Sequence, residues 1–152
     1  MPLAFRNVAA DPRDPVETWP AEAVCTALER GGLSHWRRLA KAIRADPWGS
    51  VARAVEEAMA VDPPYGTAPL MAEILQEARE HQDRLDRAEV ADEIADLVRR
   101  SGLTRTEFAS RIGTSASRLS TYLAGTVTPS AALMVRMRRL GGRYATDRAV
   151  EA

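Results

Sequence analysis

Cysteine is nearly absent. The 152 residues hold one, Cys25, so no disulfide can close within the chain. It lies in "AEAVCTALE", a helical pattern, and reads as a small buried hydrophobe rather than a reactive thiol. Histidine is scarce as well. His35 and His81 are far apart, and neither has a second ligand type at metal spacing, so no zinc site is expected. No apolar run approaches the roughly 20 residues that a membrane span needs. The opening "MPLAFRNVAADPRDP" has no apolar region of signal-peptide type, and the expectation is a soluble cytoplasmic protein. Sustained period-two alternation of β-branched residues is missing, which argues against a sheet. So are GxxxxGK[ST], GxGxxG after a strand, and GxSxG. No catalytic residue, metal or cofactor is called for, and the reading is a protein that is not an enzyme.

What is there supports an all-α chain. Its 45% hydrophobic content is enough for packed cores. The net charge of zero hides an asymmetry. Residues 1–88 carry eleven basic groups against fourteen acidic, and residues 89–152 carry ten against seven. Within residues 99–143, nine arginines face only Glu107, a net +8. That window suits a phosphate-binding surface; it also suits a solvated face of an arginine-rich protein.

Residues 1–17, with "DPRDP", read as an extended arm. "TWPAEAVCTALERGG" is a helix capped by Thr18 and stopped by Gly31-Gly32. "SHWRRLAKAIRADP" is a second, capped by Ser34, and "WGSVARAVEEAMAVDPP" a third. Trp19, Trp36 and Trp48 all fall here and are expected in the core, Trp48 with the weakest case because it starts a helix. Leu70, Ile74, Ala78, His81, Leu85, Ala88, Ala91, Ile94, Leu97 and Val98 then trace a stripe at helical spacing. It fits one long helix or two that meet near Arg87. Its thin middle is a candidate dimer seam.

The most informative stretch is "TRTEFASRIGTSASRLSTYLAG", residues 104–125. Thr104 and Glu107 form a capping box. Phe108, Ala109 and Ile112 supply an inner face, and Gly113 ends the helix where left-handed backbone costs least. Ser115 caps a second helix, whose inner face is Leu119, Tyr122 and Leu123, and Gly125 ends it. Two helices of about nine residues across a short turn have helix-turn-helix spacing. Ala109 is small where the helices must cross. The second helix shows Ala116, Ser117, Ser120 and Thr121 outward, with Arg118 near its start. Small and hydroxyl side chains let a helix sit deep in a groove and meet base edges. "EIADLVRRSGL" precedes this pair. "TPSAALMVRMRRLGG" follows it, capped by Thr128, cored by Leu133, Met137 and Leu140, and ended by Gly141-Gly142.

Residues 90–142 resemble the Cro/C1-type (XRE-type) helix-turn-helix family. The resemblance rests on Gly102-Leu103-Thr104, Phe108-Ala109, Ile112-Gly113-Thr114-Ser115, Leu119, Gly125 and Pro129. It implies that Thr104, Arg105 and Thr106 sit near phosphate, that Ser115, Ala116, Ser117 and Thr121 face base edges, and that Arg118 meets phosphate or guanine. Ser120 and Thr126 complete the expected DNA-binding residues. The chain departs from the family at Arg105, where Gln is common, and at Leu123, where Glu is common. The long amides that read adenine are also missing, so shape and methyl contacts gain weight.

The expected organisation is an arm at 1–17, a helical bundle at 18–66, a connecting helix at 67–88, the DNA-binding domain at 89–143 and a tail at 144–152. The expected function is a transcriptional regulator, a homodimer on double-stranded DNA, with recognition helix 115–124 in the major groove. The alternative is an antitoxin-type protein that holds a partner protein through its N-terminal half and autoregulates through the C-terminal domain.

Overall fold

A computed structural model describes residues 2–150. It is all-helical among those residues. A 3-10 turn at Val16–Thr18 precedes seven α-helices: α1 (Ala21–Arg30), α2 (Leu33–Ala45), α3 (Ser50–Val61), α4 (Thr67–Ser101), α5 (Arg105–Ile112), α6 (Ala116–Leu123) and α7 (Ala131–Val150). Two compact units divide the chain, Met1–Gln82 and Asp83–Ala152, with the boundary inside α4. Residues 1–17 fall within the first unit, and residues 67–88 are divided between the two.

In unit 1, alanines let helices approach closely. Ala23, Val24, Ala27 and Leu28 of α1 meet Leu39 and Ile43 of α2 and Val51, Ala52 and Val55 of α3. Met71, Ile74, Leu75 and Ala78 of α4 complete this core. Pro69 is tolerated because first-turn N–H groups have no acceptor inside a helix. The buried Thr67 Oγ1 donates to the Leu28 carbonyl at 3.1 Å, which ties the start of α4 to α1. The arm is a packed strap. Leu3, Phe5, Val8 and Ala10 lie against the core, and Phe5 meets Trp19 edge-on with centroids 5.1 Å apart.

Trp19 is buried, and Trp36 is half-buried with its Nε1 donating to the Ala27 carbonyl at 3.0 Å. Trp48 corrects the sequence reading, since it is 49% exposed and its ring is covered by Arg79, 6.0 Å from guanidinium carbon to centroid. Cys25 is half-buried; desolvation first, then the neighbouring Glu29 carboxylate, pushes its thiol pKa up, so it is a poor nucleophile.

Three expected caps move. The Thr18 hydroxyl donates back to the Pro15 carbonyl, and Pro20 precedes α1. Ser34 lies inside α2, which starts after Gly32. Ser130, not Thr128, caps α7, accepting from the Leu133 N–H at 3.2 Å. The stripe along α4 is continuous as one helix but not as a buried seam: His81, Leu85 and Ala88 are exposed.

Unit 2 closes over Ile94, Leu97, Phe108, Ala109, Ile112, Leu119, Tyr122, Met134 and Met137. Gly141-Gly142 do not end α7, which runs through them to Val150; the expected tail from residue 144 is helical up to that point. Gly141 is a close-approach residue. A Cβ there would lie 2.8 Å from Leu97 Cδ2 and 3.4 Å from its Cβ. A Cβ on Gly142 would meet nothing within 4 Å. The two glycines therefore respond oppositely to alanine. Gly142→Ala is expected to stabilise by about 0.5–1 kcal/mol through helix propensity. Gly141→Ala is expected to cost about 1–2 kcal/mol net, because overpacking outweighs that gain. Urea midpoints of the two variants check this, and shifts of the same sign would refute the packing argument.

Candidate nucleic-acid interface

The start of α5 is built by local chemistry alone. The Thr104 Oγ1 accepts from the Glu107 N–H at 3.2 Å, and the Glu107 carboxylate accepts from the Thr104 N–H at 3.0 Å. Both limbs of the capping box are present. The bond from the Thr104 backbone holds the Glu107 carboxyl below its ordinary range.

At the other end Gly113 has φ +82°, the left-handed region. Its N–H donates to the Ser110 carbonyl at 3.2 Å, and the Thr114 N–H donates to the Ala109 carbonyl at 2.9 Å. This pair of reversed bonds is a Schellman ending. Two residues later Ser115 caps α6, accepting from the Arg118 N–H at 3.2 Å. The same ending recurs after α6. Gly125 has φ +71°, its N–H donates to the Tyr122 carbonyl at 3.1 Å, and the Thr126 N–H donates to the Thr121 carbonyl at 3.2 Å. Ala109 is 1% exposed, within the core that α5 shares with α6 and α7.

Ser115, Ala116, Ser117, Arg118 and Ser120 are exposed along α6, and Thr121 is half-buried. Thr104, Arg105 and Thr106 are exposed at the start of α5. Thus the structure brings the expected residues to the starts of two adjacent helices and to the outer face of the second. Thr126 is exposed, but its N–H and its hydroxyl both donate to the Thr121 carbonyl. It closes α6.

The hydroxyls on α6 are partly committed. Ser120 donates to the Ala116 carbonyl at 3.0 Å and Thr121 to the Arg118 carbonyl at 2.6 Å. Their oxygens remain as acceptors, the role that meets the amino groups of adenine and cytosine in a major groove.

The arginines divide by partner. Arg99 and Arg100 both pair with Asp96, the second at 2.8 Å. Arg138 grips Glu93 at 2.6 and 3.2 Å, which lowers the Glu93 pKa. Arg136 donates to the Ile112 carbonyl at 3.3 Å, closing the end of α5. The +8 window omitted Glu93 and Asp96, its neighbours in space; with them the net charge is +6. Sequence reasoning also missed Ser101. It is 3% exposed, donates to the Val98 carbonyl at 2.6 Å and accepts from the Leu103 N–H at 3.2 Å, shaping the turn into α5. Ser followed by Gly102 was its one signal.

Arg105 and Arg118 have no ion-pair partner among the described residues, and they stand in the first turns of α5 and α6. A cation there is on the wrong side of the helix dipole for stability. The first turn of α6 holds no acidic residue to offset it. Both positions suit an external anion better than they suit the helices.

A family model described as a helix-turn-helix domain matches residues 70–151. The chain belongs to this helix-turn-helix family. No curated protein and no solved structure matches the chain. The helix-turn-helix match covers most of α4 and reaches through α7, so it takes in every element of unit 2's core. No described helix is long and apolar enough to cross a membrane.

Proposed function

We propose that this protein is a transcriptional regulator of Cro/C1 type that binds double-stranded DNA as a homodimer and lays α6 in the major groove. The observation that carries the reading is the pairing of an outward α6 face of small and hydroxyl residues with two arginines, Arg105 and Arg118, that have no carboxylate partner among the described residues. Ala116 and Ser117 bring free first-turn N–H groups to a phosphate or a base edge. Ser120 accepts from base amino groups, and the Thr121 methyl touches a thymine methyl. Arg105 and Arg118 contact phosphate and set the register. One such unit makes few base contacts, and two half-sites about one helical turn apart supply the rest.

Fluorescence anisotropy tests this with duplex from the protein's own upstream region and a scrambled duplex, across a salt series. The expected result is tighter binding to the native duplex that survives moderate salt. Equal and steeply salt-dependent binding to both would reduce the interaction to counterion release. Arg118→Ala is expected to weaken binding to both duplexes and to lower the salt slope by about 1. Thr121→Ala is expected to alter the preference between duplexes more than the affinity. If both variants bind like the parent, α6 is not the reading helix.

A further inference from the structure

Unit 1 holds a cleft that DNA binding does not use. It lies between the strap and α2, has a volume of about 610 Å³, and sits in the range of small-molecule sites. Leu3, Phe5, Ala10 and Pro12 supply apolar walls, while Arg38 and His35 bring the polar groups from α2.

Arg38 is half-buried. It donates to the Pro12 carbonyl at 2.6 Å and to the Asp14 carbonyl, and its guanidinium stands 5.1 Å from the centroid of Trp19. Neither carbonyl neutralises it, and no carboxylate pairs with it among the described residues. Three of its five N–H donors are left over. His35 stands in the first turn of α2, and its Nδ1 accepts from the Gly32 N–H at 3.3 Å. That bond leaves the ring's hydrogen on Nε2 as a second donor. Arg13 and Asp11 also line the cleft, but they pair with each other through two bonds of 3.0 Å and cancel.

We propose that this cleft binds a small organic carboxylate carried on an apolar body. A neutral hydrocarbon would fill the walls but strip water from the Arg38 guanidinium without replacing it. A carboxylate replaces that water with charge-assisted, two-point bonds, and His35 Nε2 adds a third. A bare phosphate would leave the Leu3 and Phe5 walls unused. The bound acid lies against the strap and α2 together, and so braces the strap on unit 1.

The test is calorimetric titration of the full chain with benzoate and with hexanoate, using benzamide as the neutral isostere at matched ionic strength. The expected result is saturable one-site binding of at least one acid, with benzamide at least tenfold weaker and a change in tryptophan emission. Arg38→Gln should lose acid binding. Arg38 also holds the strap, so Ala4→Phe provides an independent check: Ala4 lines the cleft and is exposed, and a ring there fills the space while leaving the Arg38 bonds intact. Ala4→Phe should weaken acid binding tenfold or more. No saturable binding of either acid, equal binding of benzamide, or parental affinity in Ala4→Phe would each overturn the proposal.

Discussion

Phe108→Ala is expected to unfold unit 2 while unit 1 stays folded. Phe108 is 0% exposed and packs at the centre of the second core, among Ile112, Leu119 and Met137. Truncating a buried Phe costs about 3–5 kcal/mol, the transfer loss plus the cavity left behind. Unit 2 spans residues 83–152, and a unit of that size has about 3–10 kcal/mol in total. The loss takes most or all of it and lowers the unit's melting temperature by about 15–30 °C. The chain contains its own control. Trp19, Trp36 and Trp48 all lie in unit 1, and unit 2 has none. Helicity by circular dichroism should therefore fall early, while tryptophan emission keeps its parental midpoint. If the two signals moved together to lower temperature, the two cores would be one cooperative unit.

The helix-turn-helix segment was the most legible one, and the reason is redundancy. At α5 a threonine and a glutamate three residues apart specify the same start, and Gly113 specifies the stop. At α6 Ser115 lacks the reciprocal acid, yet Gly113 just before it leaves one place for a helix to begin. The misplaced caps had no such support. Thr18, Ser34 and Thr128 are followed three residues later by Ala21, Arg37 and Ala131, none of which can bond back. A lone hydroxyl within two residues of a Pro or Gly does not decide between neighbouring starts.

Other differences are tertiary in origin. Gly141-Gly142 have the composition of a stop, but Leu97 needs the space that Gly141 leaves, and contact across the unit overrides the local cost. The arm looked extended because its Pro and Asp residues punctuate it. What orders it is Leu3, Phe5 and Val8 reaching a core built by the residues that follow. Arg99, Arg100 and Arg138 counted toward a basic patch until Asp96 and Glu93 appeared beside them. Only pairing in space separates a cation that holds the fold from one left over for a ligand.

That separation gives the second large effect, at Ala116. It is the first residue of α6 and is exposed. A glutamate there improves the helix, since a carboxylate at the positive end of the dipole adds about 0.3–1 kcal/mol. No neighbour obstructs it, and Ala to Glu keeps helix propensity nearly unchanged. On stability alone Ala116→Glu is neutral or favourable. On the proposed interface it is severe, because it sets a negative charge against phosphate at the deepest point of docking and desolvates it there. The expected result is a melting temperature at or above the parent's and a loss of DNA affinity of at least a hundredfold. The opposite signs are what make the variant decisive. Parental DNA binding by a well-folded Ala116→Glu would place the DNA contact elsewhere than the start of α6. A loss of both stability and binding would mean that the helix start is packed against protein, not presented to an anion.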